Sequence, residues 1–273
     1  MDWRRIDVPV ESRAPTGETA AYLSAGPGAV LVDPAGRTAA LDDAVEAADV
    51  AHVAVTHHHP DHVGAVADYA RETGATVWAR RGRTDAFESA TGIAPDRTFA
   101  EGTVIPAGVE RGPTSSRPAA DGVEVLDLPG HAPEHVGFAT DAGVVSGDVA
   151  VAEGSVVVGA PSGDMRAYCS SLRRLHARSP ETLYPGHGPT IEAPRTVCRR
   201  LLGHRLDREK RVREAVESGA KTPGEILDRA YEKDLTGVRD LARATVVAHL
   251  EKLAVESAVQ WDGKRAGPRG GRP

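Results

Sequence analysis

Four side chains of metal-ligand type fall within six consecutive positions of the sequence. They form the pattern H-x-H-x-D-H and comprise His57, His59, Asp61 and His62. Two histidines one residue apart in an extended loop direct their rings to the same side, so His57 and His59 can share one metal ion. The adjacent Asp61 and His62 point differently and can serve a second ion. The spacing therefore predicts a short loop that can hold a pair of metal ions.

Further ligands are needed to complete two coordination shells, and three later segments supply candidates. His131 follows the apolar run EVLDL, Asp148 follows GVVSG, and His187 follows TLYPG. Each of the three lies beside a glycine, which lets backbone and ligand approach a crowded centre. The sequence thus offers five imidazoles and two carboxylates, a set that leaves room for water, unlike the closed cysteine-rich shells of structural zinc sites.

The elements that must position these ligands alternate between short strand runs and helical patterns. Residues 42–48 and 63–71 have apolar positions three and four apart, which is typical of helices, and β-branched runs lie between them. The H-x-H-x-D-H loop follows the strand run HVAV and precedes the helical run VGAVADYA. This places it at the carboxyl end of a strand, where open α/β sheets keep their sites. We therefore expect an α/β fold for the first 160 residues.

The complete ligand set resembles that of the metallo-β-lactamase-fold hydrolases, over about residues 8–200. That family binds two metal ions between the two sheets of an αββα sandwich, so the resemblance implies this mixed α/β (α+β) architecture. It also implies an assignment of the ligands: His57, His59 and His131 hold the first ion, Asp61, His62 and His187 hold the second, and Asp148 spans both.

Three further residues are expected to support the ligands without binding metal. Asp33 ends the run GAVLVD and matches the family's early strand-terminal aspartate, which we assign to orienting a ligand. The ring of His58 should point away from the ions, so we expect it behind the ligands. His135 lies four residues after His131 and either braces the site or touches substrate, the bracing role being favoured.

Two divalent ions would give the site hydrolytic chemistry. Bound metal lowers the pKa of water from about 15.7 towards about 7, so a metal-bridging hydroxide can attack a carbonyl carbon or a phosphorus atom at neutral pH. Asp61 is the candidate catalytic residue, because its carboxylate can accept the proton of the hydroxide. The ligand types favour zinc and are compatible with iron or manganese. The positive charge of such a centre favours an anionic substrate.

Three stretches narrow the resemblance to the β-lactamase-like protein two branch of this superfamily. They are residues 163–172 (GDMRAYCSSL), 183–189 (LYPGHGP) and 204–210 (HRLDREK). Members of that branch carry a C-terminal winged helix and are associated with endoribonuclease activity on single-stranded RNA. The resemblance therefore implies a winged helix and an RNA substrate here.

Candidate substrate contacts lie in and near residues 195–213, which hold eight basic and two acidic side chains. Arg205 and Arg208 are expected to track a phosphate backbone. Tyr168 is a candidate platform for base stacking. His204 is a candidate donor to a phosphate or leaving oxygen, although helix packing is the favoured role for it.

Helical patterns dominate after residue 163. The candidate helices cover residues 165–178, 194–218, 222–231 and 236–253. From about residue 206 the order is helix, helix, long helix and a short extended piece before the turn Asp262-Gly263, which suits a winged helix. The predicted domains are a metallo-β-lactamase-like catalytic domain over residues 1–205, a winged-helix-like domain over residues 206–262, and a disordered basic tail over residues 263–273.

Composition and charge exclude several classes of protein. The 273 residues are 40% hydrophobic and 26% charged, which is the balance of a globular chain. We find no run of eighteen apolar residues and no secretory signal, so we expect no membrane association. Cys169 and Cys198 are too few for a disulfide framework, so we expect reduced thiols and a cytoplasmic location. Residues 1–160 carry a net charge of −13 and residues 161–273 a net charge of +7, so the second part could attract a polyanion.

Two other functions stay open. A thioesterase of the glyoxalase II type would use the same ligand set, although the chain lacks a recognisable form of that family's glutathione-binding tail. A winged-helix nucleic-acid-binding regulator would use the hydrolase part only to sense a metal or ligand. The complete ligand set argues against the regulator, because a retired site is expected to lose ligands.

Overall fold

The computed structural model describes residues 1–14, 16–107 and 122–269. The chain forms two compact units, each built from several segments of sequence. The first unit comprises Met1–Leu128, Glu134–Gly154 and Ser179–Pro194, and the second comprises Pro129–Pro133, Ser155–Arg178 and Arg195–Pro273. The second unit therefore includes helical segments that precede residue 206, where the sequence suggests that a separate domain begins.

The first unit contains a six-stranded sheet in which the strands follow their order in the sequence. Its members are β1 (Trp3–Pro9), β2 (Glu18–Ser24), β3 (Ala29–Val32), β4 (Val50–Ala54), β5 (Thr76–Arg80) and β6 (Arg97–Phe99). The first three strands are antiparallel neighbours, whereas β3 to β6 pair in parallel. The parallel part brings the carboxyl ends of β3 and β4 to one edge of the sheet.

A second sheet of five strands has the order β11-β10-β9-β8-β7. Its members are β7 (Val104–Pro106), β8 (Gly122–Asp127), β9 (Val136–Thr140), β10 (Gly143–Gly147) and β11 (Leu183–Pro185). All neighbours in this sheet are antiparallel except β10 and β11, which pair in parallel. The carboxyl ends of β10 and β11 therefore lie side by side.

Alternation of side chains along the strands explains why this unit is layered. In β3, Val30 and Val32 join an apolar cluster that also contains Phe138 of the second sheet. Their neighbour Leu31 points the other way, into a cluster with side chains from α1, α3 and α4 such as Phe87. These helices span Ala39–Glu46, Val66–Thr73 and Thr84–Thr91. Helices, one sheet and a second sheet thus pack as successive layers, and the predicted mixed α/β fold is confirmed.

The helix boundaries differ from the sequence pattern by a few residues, for local reasons. The helix expected at residues 42–48 begins earlier, because Thr38 is its N-cap and its hydroxyl accepts the N–H of Leu41. The helix expected at residues 63–71 is displaced towards its C-terminus and ends at Gly74, whose φ of 66° lies in the left-handed region.

The second unit is mainly helical. Its elements are α5 (Met165–Arg178), α6 (Pro194–Glu217), α7 (Pro223–Ala230), α8 (Arg239–Val255), β12 (Val259–Trp261) and β13 (Ala266–Pro268). A capping box begins α7, with the Thr222 hydroxyl and the Glu225 carboxylate each accepting a backbone N–H of the other residue. The succession α6, α7, α8 and the extended piece β12 follows the order expected from the sequence, whereas β13 was not expected. None of the helices in the described ranges is long and apolar enough to cross a membrane.

Part of the tail that we predicted to be disordered is ordered. Trp261 and Ala266 stand opposite each other where β12 and β13 pair antiparallel. The carboxylate of Asp262 closes the turn between them by accepting the backbone N–H groups of Lys264 and Arg265. The prediction of disorder from residue 263 is therefore wrong for these residues, while residues 270–273 lie outside the described ranges.

Candidate metal centre

The ends of β3 and β4 position the first group of candidate ligands. Asp33 directly follows β3, and the loop that carries His57 and His59 follows its parallel neighbour β4. A short helix, α2 (Pro60–Val63), begins immediately after His59 and carries Asp61 and His62. Proline at the first helical position favours this start, since its fixed φ suits the first turn. The second pair therefore lies on helical backbone and the first on extended backbone, and the ring centres of His57 and His62 are 4.2 Å apart.

The parallel strands β10 and β11 position Asp148 and His187, which follow their carboxyl ends. Gly186 is required between the ligands, because a Cβ atom there would lie 2.5 Å from Asp148 Oδ1 and 2.7 Å from His62 Cε1. Gly147 precedes Asp148 with a φ of 46°, and a Cβ on it would lie 2.7 Å from both the Thr56 hydroxyl and His135 Nε2. Both glycines therefore permit the close approach that the sequence suggested.

The seven predicted ligands gather in three overlapping groups. Within each group one ligand atom of every member lies within 4.8 Å of the others. The groups are His57, His59 and His131; His57, His62 and Asp148; and Asp61, His62 and His187. The Asp148 oxygens lie 3.6 Å from His62 Nε2 and 3.4 Å from His187 Nε2. The groups fit a dinuclear site in which Asp148 stands between two ligand sets.

In three of the candidate ligands, Nδ1 forms a hydrogen bond, so Nε2 is available to bind a metal ion. The Nδ1 atom of His187 donates to the Glu18 carbonyl at 2.7 Å, and that of His131 donates to the Val157 carbonyl at 2.8 Å. The Nδ1 atom of His62 donates to Asp33 Oδ2 at 3.0 Å. An Nδ1 that donates in this way places the lone pair on Nε2, which is the form that ligates a metal.

Asp33 is held in an unusual backbone conformation, with a φ of 52° that few residues other than glycine adopt. Its side chain is fully buried. One of its oxygens accepts the Thr56 N–H at 2.6 Å, and the other accepts the Thr56 hydroxyl and the His62 ring. The bond to the ring orients the candidate ligand His62. Together the three bonds offset the energetic cost of the strained backbone conformation of Asp33.

Thr56 is a site residue to which the sequence argument gave no role. Its hydroxyl donates to Asp33 and lies 3.0 Å from Nδ1 of His57, from which it can therefore accept a hydrogen bond. This arrangement directs Nε2 of His57 towards Nδ1 of His59, which lies 2.9 Å away. The signal was present in the sequence, since a hydroxyl residue directly precedes the H-x-H-x-D-H pattern.

The electrostatics of the site favour added positive charge. Burial opposes protonation of the fully buried His62, yet the carboxylates of Asp148, Asp33 and Asp61 together raise its pKa to about 9. Burial likewise opposes protonation of His187, and Asp148 nevertheless raises its pKa. Nε2 of His62 is buried without a hydrogen-bond partner among the described residues. A metal ion would satisfy this nitrogen and neutralise the carboxylates, so the donor set fits divalent cations.

His58 and His135 belong to none of the ligand groups found among the described residues, and both rings contact neighbouring side chains. The His58 ring packs edge-on against Phe87 at 5.5 Å and its backbone N–H donates to the Glu134 carboxylate at 3.1 Å. The His135 ring stacks on His57 with the ring centres 4.9 Å apart. Its Nε2 accepts the backbone N–H of Asp148 at 3.0 Å. Glu134 was not singled out from the sequence.

Three of the residues predicted to contact substrate are buried in the second unit. Tyr168 has no exposed surface, and Arg205 and Arg208 are 3% and 6% exposed. The Arg205 guanidinium lies over the Tyr168 ring and donates to the Val156 carbonyl, while Arg208 donates to the Ala230 carbonyl at 2.7 Å. The prediction that these side chains bind substrate does not agree with their burial, because both guanidinium groups already donate to carbonyls of the same unit.

His204 is half-buried on α6 in a cationic environment. Burial and the neighbouring Arg205, Arg208, Arg211 and Lys233 lower its pKa to about 4. The ring is therefore neutral at pH 7. A neutral ring can still donate one hydrogen bond, but it cannot supply the positive charge that a phosphate contact would use best.

Two facing sheets with a histidine and aspartate centre at the strand ends define a metal-dependent hydrolase. A model of the metallo-beta-lactamase superfamily matches residues 15–187, and the chain belongs to this superfamily. The chain is 28% identical over 230 residues to the beta-lactamase-like protein 2 homolog of Drosophila melanogaster, covering 79% of this chain and 72% of that protein.

Two bacterial relatives also match. The probable metallo-hydrolase YqjP of Bacillus subtilis is 28% identical over 305 residues, covering 92% of this chain and 94% of that protein. The hydroxyacylglutathione hydrolase GloC of Haemophilus influenzae is 30% identical over 182 residues, covering 59% of this chain and 80% of its own length. The predicted class of enzyme, a hydrolase of the metallo-β-lactamase superfamily, is confirmed.

Proposed function

We propose that the protein is a dinuclear zinc hydrolase that cleaves phosphodiester bonds in single-stranded RNA. The convergence of five imidazoles and two carboxylates at one point supports the two ions, and the borderline character of these ligands favours zinc, with iron or manganese as alternatives. His57, His59 and His131 would hold one ion, while Asp61, His62 and His187 would hold the other. Asp148 would contact both.

Bound ions would supply Lewis acidity and would make a water molecule acidic enough to react at neutral pH. The chain's own contribution is to hold and orient the reacting groups. Asp61 is 20% exposed at its side chain, and its Oδ2 lies 3.6 Å from His187 Nε2. A carboxylate at the ligand cluster that still reaches solvent is suited to accept a proton from the attacking water. We assign Asp61 that role.

The proposal of RNA as the substrate is based on the net positive charge of the second unit. The segments of this unit contain 22 basic and 13 acidic residues, whereas those of the first unit contain 11 and 26. On α6, the exposed side chains include Arg195, Arg199 and Arg200. An excess of exposed arginine attracts a polyanion and neutralises phosphates without reading bases.

The exposed arginines replace the buried pair Arg205 and Arg208 as the proposed RNA contacts. Aromatic residues are 4% of the sequence, and Tyr168 is buried, so base stacking has little support. We therefore expect contacts to the phosphate backbone and a weak preference for base sequence.

A thioesterase of the glyoxalase II type is the second candidate. It is favoured by the 30% identity to a hydroxyacylglutathione hydrolase over more than half of this chain. The same ligand set would serve, because a carbonyl carbon and a phosphorus atom are attacked by the same kind of activated water.

The nucleic-acid-binding regulator has less support. Eight of the 17 residues of α8 are buried, among them Val246, His249 and Leu253. This helix packs against α5, α7 and β12. A recognition helix needs a free face to enter the major groove, and packing on several sides leaves α8 only a narrow one.

A parallel assay tests the proposal. The zinc-loaded protein is given single-stranded RNA, a phosphodiester dye and S-lactoylglutathione, with Asp61→Asn as the inactive control. We expect RNA cleavage that falls as salt rises, and the double variant Arg195→Glu/Arg199→Glu should lower it while leaving turnover of the dye unchanged. Turnover of the thioester alone would overturn the RNA assignment in favour of the second candidate.

A further inference from the structure

Three consecutive residues, Glu134, His135 and Val136, hold both the H-x-H-x-D-H loop and Asp148. Glu134 accepts the His58 N–H at 3.1 Å, and the Val136 N–H donates to the Thr56 carbonyl at 2.9 Å. Between them, His135 accepts the Asp148 N–H. All these bonds lie within the first unit, and each reaches a ligand or a residue next to one. We name residues 134–136 the clasp.

Glu134 is the member of the clasp that carries a largely buried carboxylate. Its side chain is only 11% exposed, and a carboxylate is costly to bury without partners. It is not a member of any of the ligand groups found among the described residues. Its Oε1 atom instead meets the backbone N–H of His58 and lies 3.7 Å from Nδ1 of the same residue. Both contacts are to the one residue that separates His57 from His59.

The bond to the His58 N–H has a direct geometric consequence. Alternate residues of an extended strand point to opposite sides, so fixing the peptide of His58 fixes the direction in which His57 and His59 point together. The His58 ring, only 9% exposed at its side chain, is held on the other side against Phe87. Without an acceptor for its N–H, this peptide would be free to rotate and the two rings would lose their common direction.

We propose that Glu134 is a positioning residue for the first ion, which sets the paired orientation of His57 and His59 by accepting the His58 N–H. The inference rests on the dinuclear site of the proposed function, but it concerns this chain's own hydrogen bond. Because the acceptor oxygen and not the charge makes the bond, Gln can replace Glu at this position, whereas Ala cannot.

Metal binding is the measurement, made on metal-free full-length protein by competition with a chelator and by the ligand-field spectrum of bound Co²⁺. We expect Glu134→Ala to weaken binding of one of the two ions by about tenfold or more and to change the Co²⁺ spectrum. Glu134→Gln should stay near the wild type, since it keeps an acceptor oxygen for the His58 N–H. Circular dichroism checks the fold of each variant.

The outcomes separate this inference from the proposed function. Wild-type protein that binds no pair of ions contradicts the dinuclear site itself. Wild-type protein that binds two ions while Glu134→Ala binds them equally well overturns only the role of Glu134, as would equal losses in the Ala and Gln variants. If Glu134→Ala does not fold, Glu134→Asp replaces it, because a carboxylate one methylene shorter should weaken the same ion by a smaller factor.

Discussion

Buried polar side chains have different kinds of neighbours in the two units. In the first unit, imidazole nitrogens and carboxylate oxygens face one another, and the buried Nε2 of His62 lies 3.6 Å from Asp148 Oδ1. In the second unit, buried cations have partners within the unit. Arg208 donates to the Ala230 carbonyl, and Lys252 donates to two glutamates at 2.8 Å. Added positive charge is favourable in the first arrangement, whereas Arg208 and Lys252 in the second already have hydrogen-bond partners.

This contrast separates a binding site from a structural network. Ring nitrogens and carboxylates that converge without donors between them gain by taking up a cation. Buried arginines that already donate to carbonyls gain nothing from a ligand and contribute to stability instead. Substitutions of the converging groups in the first unit should therefore change metal binding and activity, and substitutions of these buried cations in the second should change the free energy of unfolding.

Removing the carboxylate shared by both ligand sets should have the largest effect. We expect Asp148→Ala to lower kcat/KM by more than about a hundredfold, because the transition state loses the electrostatic support of a complete pair of ions. Steady-state kinetics with a phosphodiester dye checks this, with circular dichroism as the test of folding. Retention of near-full activity would remove Asp148 from the centre.

Asp33 should have a smaller but clear effect on the same site. Asp33→Ala takes the partner from His62 Nδ1 and from the Thr56 hydroxyl, and we expect metal affinity to fall by about 10–100-fold. Chelator competition measures the change. Asp68→Ala is the matched control, since that aspartate is exposed on α3 and pairs with the exposed Arg71. A similar loss in both variants would show that the effect is not specific to the site.

Replacement of Arg208 should change the free energy of unfolding but not the number of bound metal ions. Its guanidinium lies 3.4 Å from the centre of the Tyr231 ring and donates to a buried carbonyl, so Arg208→Met should lower the free energy of unfolding by about 2–3 kcal/mol. Denaturant titration measures this, and the number of bound ions should not change. Arg213→Met is the control, because Arg213 is exposed and pairs with Glu217. Lost metal in the Arg208 variant would contradict the contrast between the units.

Replacement of Glu209 should have the smallest effect on the free energy of unfolding, and the size of that effect should depend on pH. Burial acts to raise the pKa of Glu209, but the His249 ring, 3.6 Å away, and the Lys252 ammonium, which donates to it at 2.8 Å, hold it below its usual value. A lowered folded-state pKa contributes stability that is complete above the unfolded value and is lost as the pH falls through the folded one. Glu209→Gln should therefore be less stable by about 1 kcal/mol at pH 7, and the difference should vanish in acid. Denaturant titrations at pH 7 and below pH 4 check the trend.

The grouping of the candidate ligands could be predicted from the sequence, because the information for it is local. Four ligand-type residues lie within six consecutive positions, and each remaining one lies within four residues of the end of a strand, so chain position alone places them all near strand ends. Helix α5 begins and ends where its apolar spacing predicts, at Met165 and Arg178. The capping box at Thr222 was equally readable, since both partners lie within four residues.

The burial of Arg205 and Arg208 could not be predicted in the same way. Their partners Val156 and Ala230 lie 49 and 22 residues away, and the count of basic residues does not reveal which face of α6 is packed. The neighbouring Leu206 is 42% exposed, the reverse of what residue type suggests. Strand β13 could not be predicted either. Its segment is rich in glycine, proline and arginine, and this composition does not indicate that it pairs with β12.

Seven side chains of this protein are proposed to hold two divalent ions, and the number of bound ions per chain can be measured. Metal-free protein is dialysed against buffered Zn²⁺ and its bound metal is measured by elemental analysis, beside a variant in which His57, Asp148 and His187 are replaced by Ala. We expect two ions per wild-type chain and none on the variant. A wild-type chain that binds no ion, or a variant that still binds two, would contradict the account.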